Sequence, residues 1–286
     1  EPFRVRFSTQ DKTRFDYWKR MEFTQTQWKE LGAHCKEAGL TFMSSPFSNA
    51  AVDVLEAAGV AQYKVGSGEV SNFLLLKKIV ETGKPIIISS GMSSYAELDD
   101  TVAFLKEHKA SFSILQCTTS YPTQPKQYGL NIIQELKDRY EVPVGFSDHS
   151  AEVATGIAAV ALGATILEFH VVFDKAQFGP DVSSSLTMAE VSQLVTGATA
   201  ISEALQHPVD KQSNATFSDL KNIFEKSLAV NKTLPKGHVL TFEDLEGKKP
   251  KGYGMDAKAF RTVIGKKVTR DMNAWDFLTQ NDIEHE

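Results

Sequence analysis

Two apolar runs near the middle of the chain each end in a histidine. The first reads Gly145-Phe-Ser-Asp-His149 and the second reads Ile166-Leu-Glu-Phe-His170. The alanine-rich segment between them, residues 151–162, has the length and apolar character of one helix. A strand–helix–strand unit makes its two strands parallel, so both strands end at the same edge of the sheet. This stretch therefore predicts two imidazoles side by side at that edge.

The same alternation of short apolar runs and helical segments continues on both sides of this unit. The run Pro85-Ile-Ile-Ile-Ser89 is apolar at nearly every position, as in parallel strands that are buried on both faces. The alternation predicts an α/β fold with right-handed crossovers. The predicted strands are 41–45, 62–66, 85–89, 112–117, 143–146 and 165–169, and the predicted helices are 24–37, 49–58, 71–82, 94–108, 130–139, 151–162 and 187–205.

Polar side chains stand at the carboxyl end of every predicted strand. In an open sheet they would be spread along one edge, whereas in a closed barrel they converge on one rim. We therefore predict a barrel of the TIM (β/α)₈ type with these side chains at its catalytic rim. They are Ser44-Ser45, Lys64 with Ser67 and Glu69, Ser89-Ser90, Gln116 to Tyr121, Ser147 to His149, and Glu168 with His170.

The strand count is six, and a TIM barrel has eight strands. All six predicted strands begin after residue 40, and residues 1–23 are interpreted as a loop. Two further βα units would add about 50 to 70 residues, at about 30 residues a unit. We therefore expect the first two βα units to be missing from this chain and the natural protein to extend upstream of Glu1.

The barrel pattern stops near residue 205, so the barrel domain is predicted to span residues 1–210. Residues 211–226 are polar and are predicted to be a linker. Over residues 227–286, short apolar runs alternate with glycine turns such as Pro235-Lys-Gly-His238, as in a compact β-rich module. About 60 residues make a small core, so we expect this module to lean on another surface.

The composition is that of a globular protein, because 42% of the 286 residues are hydrophobic and 23% are charged. The net charge of -5 gives no electrostatic basis for binding nucleic acid or a membrane surface. Cys35 and Cys117 do not make a disulfide framework, and no apolar run is long enough to span a membrane. Without a signal-peptide pattern in the given chain, we expect a cytoplasmic protein.

The histidine pair, His149 and His170, suits two different roles. Neutral imidazoles bind Mn, Fe, Co or Zn, and two of them would leave coordination positions for substrate and water. Alternatively, one or both are general bases or structural histidines. The spacing alone leaves both interpretations open.

Lys64 stands at a strand end, just before the turn Gly66-Ser67-Gly68. A lysine on an inward strand position forms a Schiff base or contacts a phosphate or carboxylate. Glycines let backbone amides approach an anion, and Ser89-Ser90-Gly91 repeats this chemistry on the next strand. Two neighbouring turns of this kind favour a phosphorylated ligand.

Several carboxylates are candidates for acid–base chemistry, namely Glu69, Glu168 and Asp181. Glu168 and Asp148 also suit a supporting role, in which a carboxylate orients a metal-binding histidine. Cys117 is interpreted as a packed strand residue, because nothing in its sequence surroundings lowers the pKa of a thiol.

Six motifs resemble those of the sialic acid synthases. They are Lys64-Val-Gly-Ser-Gly-Glu69, Ile88-Ser-Ser-Gly-Met92, Gln116-Cys-Thr-Thr-Ser-Tyr-Pro122, Gly145-Phe-Ser-Asp-His149, Leu167-Glu-Phe-His170 and Gly179-Pro-Asp181, and they occur in the family's order. The tail is similar to the family's antifreeze-like (SAF) domain in Lys249-Pro-Lys-Gly-Tyr253 and Gly265-Lys-Lys-Val268. The resemblance implies a transferase that condenses phosphoenolpyruvate with an N-acyl hexosamine such as N-acetylmannosamine, with release of phosphate.

The resemblance also implies roles by position. A divalent metal, usually Mn²⁺ with Mg²⁺ or Co²⁺ as alternatives, would be held by His149 and His170. The enzyme would be a homodimer whose SAF domain covers the partner's site. The implied catalytic residues are Lys64, Glu69, Tyr121 and Asp181, and the implied substrate-binding residues are Lys64, Ser67, Ser89, Ser90, Thr119, Ser147, Asp181 and Lys249.

This chain departs from the family pattern in three respects. The family's first strand carries Glu-x-Gly-x-Asn-His and its second ends in Lys-x-Gln, and neither motif is in the given sequence. A polypeptide that begins at Glu1 is therefore expected to be inactive. Val182 stands where some members have histidine, and Lys249 stands where the SAF domain usually presents an arginine.

Two alternatives remain open from the sequence. The first is a synthase for a legionaminic- or pseudaminic-type sugar. The second is a non-catalytic barrel whose β-rich tail is an interaction module.

Overall fold

Seven parallel strands form a single sheet in the first part of the chain, and they lie side by side in chain order. The structure is a computed structural model that describes residues 10–284. The six predicted strands are confirmed to within a few residues, and the prediction missed the seventh. The strands are β1 (Met43–Ser44), β2 (Gln62–Val65), β3 (Ile86–Ser89), β4 (Phe112–Cys117), β5 (Val144–Asp148), β6 (Leu167–Val172) and β7 (Ser185–Thr187).

The missed strand β7 has the sequence Ser-Leu-Thr, which contains no apolar run. It forms because its backbone pairs in parallel with β6, where His170 lies opposite Ser185. Pairing with a neighbour that is distant in the chain cannot be recognised from three residues, since strand propensity depends on tertiary context.

Helices connect the strands and begin at recognisable caps. Thr24, Ser94 and Thr187 each start a helix with a capping box, in which the cap side chain and the third helical residue bond to each other's backbone. The helices of this part of the chain are α1 (Arg14–Met21), α2 (Gln25–Glu37), α3 (Asn49–Ala57), α4 (Phe73–Val80), α5 (Tyr95–Glu107), α6 (Ile132–Tyr140), α7 (Val153–Ala161) and α8 (Met188–Gln206).

The interpretation of residues 1–23 as a loop is wrong for α1. Thr13 caps this helix by accepting a hydrogen bond from the Asp16 amide, and Lys19 and Arg20 in the last turn suit the helix dipole. The helix buries none of its residues, and its apolar residues Phe15, Trp18 and Met21 recur every three positions, a helical spacing that the interpretation as a loop overlooked. Residues 1–9 lie outside the described residues.

The two faces of the sheet are different in chemistry. Side chains alternate along a strand, and one set packs with the helices in the hydrophobic core. The other set points to the inside of the curved sheet. The outer set includes Tyr63, Val65, Ile86, Ile88, Ile114, Val144 and Phe146, and the inner set includes Lys64, Ile87, Ser89, Leu115, Cys117, Gly145 and Ser147.

A contact across the inner face shows how strongly the sheet curves. Lys64 Nζ on β2 lies 3.5 Å from Glu168 Oε2 on β6. These strands are four positions apart, which is about 19 Å in a flat sheet with strands about 4.8 Å apart. The sheet must therefore curl toward a barrel, as predicted.

The hydrogen-bonded order runs from β1 to β7, and no pairing joins these two strands within residues 10–284. The presence of two further βα units upstream stays a prediction. Within the same described range, no helix is long and apolar enough to cross a membrane.

A second compact unit begins at Val209 and has its own hydrophobic core. Its elements are α9 (Ser218–Phe224), β8 (Ser227–Val230), β9 (Leu245–Lys248) and α10 (Phe260–Val263), with β8 and β9 antiparallel. The predicted linker, residues 211–226, therefore contains a helix.

The second unit is built on an internal repeat. Asp244 accepts hydrogen bonds from Thr241, and Asp282 accepts hydrogen bonds from Thr279 in the same way. Each aspartate is also paired with a cation, Lys232 in the first half and Arg270 in the second. Equivalent ion pairs thus hold two equivalent turns, and the assignment of this unit as a SAF domain stays a prediction.

Candidate active site

Three strands contribute to a charged cluster inside the curled sheet. Lys64 Nζ lies 3.5 Å from Glu168 Oε2, and Ser147 Oγ donates a hydrogen bond of 2.9 Å to Glu168 Oε1. Lys64 also donates to the carbonyl of Val65 at 3.2 Å. The lysine is buried, and burial of a charge is tolerated because the carboxylate lies opposite it. Glu168 thus connects two residues that the sequence assigned to an anion.

Cys117 lies at the centre of this cluster. It is next to Ser147 in the strand register, and Ser67 Oγ lies 3.8 Å from its sulfur. Burial raises the pKa of the Cys117 thiol, so the thiol stays protonated at neutral pH. The interpretation of Cys117 as a packed strand residue is confirmed.

Gly91 marks a point at which polar groups from three loops meet. A Cβ atom at this position would lie 2.6 Å from Thr119 Oγ1, 2.7 Å from Ser67 Oγ and 2.9 Å from Cys117 Sγ. At such distances a side chain on residue 91 would force these neighbouring groups to move. The Gly91 amide donates to Ser67 Oγ at 3.1 Å, so the absence of a side chain lets the backbone approach the hydroxyl groups.

The two serines at the end of β3 differ in their bonding. Ser90 Oγ donates to the carbonyl of Leu115 at 3.0 Å. Ser89 Oγ is buried on the inner face and has no hydrogen-bond partner. Buried hydroxyl groups nearly always have a partner, so an orphan hydroxyl here marks a place where a ligand or water binds.

His149 is held in one tautomer. Its Nδ1 lies 3.1 Å from the carbonyl of Thr118, which can only accept, so Nδ1 carries the proton. The other ring nitrogen, Nε2, faces the hydroxyl of Tyr121 at 3.2 Å. The two rings also stack, with centroids 4.2 Å apart.

His170 lies beside this pair. Its ring centroid is 5.3 Å from that of His149 and 5.7 Å from that of Tyr121. Burial lowers the pKa of His170, although the Asp181 carboxylate at 3.9 Å acts in the opposite direction. The imidazole is therefore neutral at neutral pH. The two histidines therefore lie side by side, as predicted.

Tyr121 is a hydrogen-bond donor throughout the physiological range. Partial burial raises the pKa of its phenol to about 12, and the carboxylates of Asp181 and Glu168 add to the effect. A protonated phenol between the histidines can donate to an oxygen of a bound ligand.

The two histidines suit a divalent metal as part of its ligand set. Metal-binding histidines commonly donate their other ring N–H to a backbone carbonyl, as His149 does to Thr118. His170 is neutral, as ligation requires. Within residues 10–284, however, no group of three or more His, Cys, Asp or Glu side chains is arranged to hold a metal ion. The pair would therefore leave several positions to substrate and water.

A cavity of about 890 Å³ lies next to this site and not on it. It is lined by residues that follow Tyr121 and His149 in the chain, including Pro122 and Ser150, and by Lys175 of the loop after β6. None of the predicted site residues lines it, so we place the chemistry at the open rim.

Some predicted residues are not brought into these contacts. Glu69 accepts a hydrogen bond from Asn72 at 2.7 Å. Lys249 belongs to the second unit, where its ammonium lies 4.8 Å from the centre of the Phe224 ring. The roles of both residues stay predictions.

Two supporting roles suggested by the sequence are wrong. Asp148 does not orient a histidine, because its carboxylate accepts hydrogen bonds from the amide and hydroxyl of Ser150. Glu168 contacts Lys64 and Ser147, and neither is a histidine. His149 is instead oriented by the backbone carbonyl of Thr118. This contact could not be predicted from the sequence, because every residue has a backbone carbonyl.

The comparisons with known proteins show the family of this chain. The sequence model of the NeuB family matches residues 1–210. The chain belongs to the NeuB family. It is 33% identical to N,N'-diacetyllegionaminic acid synthase of Campylobacter jejuni, over 94% of this chain and 81% of that protein. It is 35% identical to human N-acetylneuraminate-9-phosphate synthase, over 90% of this chain and 72% of that protein.

A solved structure of a related synthetase is also similar to the NeuB chain. The N-acetylneuraminic acid (sialic acid) synthetase of Leptospira borgpetersenii is 31% identical, with a TM-score of 0.67 over 71% of this chain and 70% of that one. The relatives are named as synthases, so the chain belongs to a family of enzymes that make sialic-acid-type sugars.

Proposed function

We propose that this chain condenses phosphoenolpyruvate with an N-acyl hexosamine in a metal-dependent, aldol-type reaction. N-acetylmannosamine is the first candidate sugar, and the products would be a nonulosonic acid and phosphate. The observation that carries the proposal is the joining of two sites in one interior: a cluster of lysine and hydroxyl groups that suits an anion, and a histidine–tyrosine rim that suits a carbonyl.

The anion pocket would bind phosphoenolpyruvate. Lys64 supplies a buried positive charge and Ser89 supplies an unpartnered hydroxyl on the same inner face. Ser67 and Thr119 bring two more hydroxyl groups together at Gly91, whose backbone amide donates to Ser67 Oγ. Donors held in position by a rigid sheet bind an anion without further ordering of the protein.

The rim would bind the open-chain sugar. The Tyr121 hydroxyl stays protonated and can donate to a sugar oxygen, while Asp181, which is half exposed, can accept from a sugar hydroxyl. His149 and His170 would hold a divalent cation such as Mn²⁺, with Mg²⁺ or Co²⁺ as alternatives. When bound, the cation would supply Lewis-acid polarisation of the aldehyde oxygen.

The proposed reaction forms one carbon–carbon bond and one carbon–oxygen bond, from water, and breaks one carbon–oxygen bond, while protons that the water loses balance the proton that the aldehyde oxygen gains. C3 of phosphoenolpyruvate attacks the aldehyde carbon, and water adds to the cationic C2 that results. Phosphate then leaves from C2 with its bridging oxygen. Lys64 and the hydroxyl groups would hold the phosphate while its charge increases, and Tyr121 would donate to the new sugar hydroxyl.

Phosphate release tests the proposal directly. The natural protein, with any residues upstream of Glu1, is purified and incubated with phosphoenolpyruvate and N-acetylmannosamine, with and without Mn²⁺, and phosphate is measured together with the nonulosonic acid. We expect release that requires both the sugar and the metal. No release with any hexosamine would contradict the proposal and favour a non-catalytic barrel.

A second candidate substrate follows from the comparisons. The relative with 33% identity is named for a diacetylated legionaminic acid, so the corresponding diacetylated hexosamine belongs in the same assay, as does a pseudaminic-type precursor. Val182, beside Asp181, adds no polar group to the rim where the sugar would lie. The ratio of kcat/KM values among the three sugars decides the substrate.

A further inference from the structure

We infer that Glu168 is an internal counter-ion for Lys64, which the anion of the substrate replaces on binding. The inference rests on the proposed function in one respect, namely that Lys64 binds an anion. It adds that the anion-free protein already holds a carboxylate against the same donors, and that this carboxylate sets how tightly the anion binds.

The contacts of Glu168 are those of a bound anion. One carboxylate oxygen lies 3.5 Å from Lys64 Nζ and the other accepts from Ser147 Oγ at 2.9 Å. Lys64 and Ser147 come from different strands, β2 and β5, and both contact this carboxylate. No cation other than Lys64 is paired with Glu168 among the ion pairs of residues 10–284.

Burial makes this pairing matter. The side chain of Lys64 is 10% exposed and that of Glu168 is 35% exposed, so the carboxylate faces the open interior and the ammonium lies behind it. A buried ammonium without a counter-charge is unfavourable. When an anion enters from the open side, the charge of Lys64 is therefore already balanced by Glu168. The anion must replace Glu168 as the counter-ion of Lys64.

A second observation indicates that an anion, and not Glu168 alone, completes this site. Ser89 Oγ is buried on the inner face of β3 and has no partner, while Ile87 on the same strand lies opposite Lys64 in the register. Glu168 satisfies Lys64 and Ser147 but leaves the Ser89 hydroxyl free. A larger, polyoxygenated anion can reach all three.

The test measures binding of inorganic phosphate by calorimetry at constant ionic strength. Glu168→Gln keeps the size of the side chain and an acceptor for Ser147 but removes the charge. We expect the variant to bind phosphate about fivefold more tightly than the parent, because the phosphate then supplies the only counter-charge of Lys64. Glu81→Gln, which removes an equal charge from an exposed pair with Lys77, should leave phosphate affinity unchanged.

A double-mutant cycle shows whether the tighter phosphate binding of Glu168→Gln depends on Lys64. In the Lys64→Met background, the Glu168→Gln change should no longer tighten phosphate binding. Unchanged or weaker binding in Glu168→Gln overturns the inference. Equal tightening with and without Lys64 also overturns it, because the effect would then be general repulsion by the carboxylate.

Thermal unfolding shows whether the variants fold. Should Glu168→Gln not fold, Glu168→Asp keeps the charge and withdraws it by one methylene, and about twofold tighter phosphate binding is expected. If Glu168→Asp binds phosphate no more tightly than the parent does, the counter-ion role of Glu168 is rejected. Because these readouts need no turnover, absence of condensation with the predicted tightening would reject the proposed function alone.

Discussion

The outer and inner faces of the same sheet have opposite chemistry, although their residues alternate along single strands. Ile86 and Ile88 on β3 pack into the core with the helices, while Ser89, one residue further, is buried on the inner face without a partner. The outer face is mostly apolar along these strands and stabilises the fold. The inner face buries polar groups at a cost to stability, which is typical of a site that binds something else.

This contrast predicts that substitutions on the outer face change the free energy of unfolding, and that substitutions on the inner face and its rim change activity. The four substitutions below test the division in order of decreasing effect.

His149→Ala at the rim is expected to have the largest effect. It removes the Nε2 lone pair and the stacking with Tyr121, and we expect kcat/KM to fall at least about 1,000-fold, because Lewis-acid polarisation contributes several kcal/mol. Activity and Mn²⁺ affinity are measured together. His34→Ala, on an exposed position of α2, is the control and should behave as the parent. Normal turnover and metal affinity in His149→Ala would remove this residue from the site.

Ile88→Ala on the outer face should destabilise without a specific effect on catalysis. The side chain is fully buried, and its truncation leaves a cavity that costs about 2–5 kcal/mol. Urea unfolding measures the loss, and kcat/KM of the folded fraction should stay within about twofold of the parent, since Ile88 does not face the site. A stable variant with lost activity would contradict the separation of the two faces.

Gly91→Ala tests the point where Ser67, Thr119 and Cys117 converge. The new methyl group would lie less than 3 Å from all three, so the hydroxyl groups must move apart. We expect KM for phosphoenolpyruvate to rise about tenfold, because small displacements of positioning groups are costly. Gly68→Ala is the matched control, since its methyl group would meet only Met92 Cε, at 3.5 Å. Equal effects of the two substitutions would argue against a built anion pocket.

Ser89→Ala should have the smallest effect on the free energy of unfolding. Its matched control is the neighbouring substitution, Ser90→Ala. Removing an orphan hydroxyl should leave the free energy of unfolding unchanged or slightly higher, whereas Ser90→Ala loses a bond to Leu115 and should cost about 1 kcal/mol. Ser89→Ala should still raise KM for phosphoenolpyruvate. A loss of stability equal to that of Ser90→Ala would show that the Ser89 hydroxyl already has a partner.

Local sequence predicted much of the fold and part of the site. Capping boxes such as that of Ser94 involve residues three apart, so the start of α5 is determined within one turn. The apolar strand runs and their order predicted the parallel sheet, and the histidine pair was predicted from His149 just after β5 and His170, which lies within β6. The strand β7 was missed because its three residues have no apolar pattern, and the helix α1 was missed because it is short and buries none of its residues in the core.

What the sequence determined by itself is therefore the order of strands and helices, the alternation of the two faces, and the family. What only the tertiary structure decided is which inner residues touch. Lys64 meets Glu168 because small twists and bends summed over five strands curl the sheet. His149 is oriented by a backbone carbonyl, and a backbone carbonyl cannot be identified from residue type. Contacts between residues far apart in the chain depend on that accumulated curvature, and no local stretch of sequence specifies it.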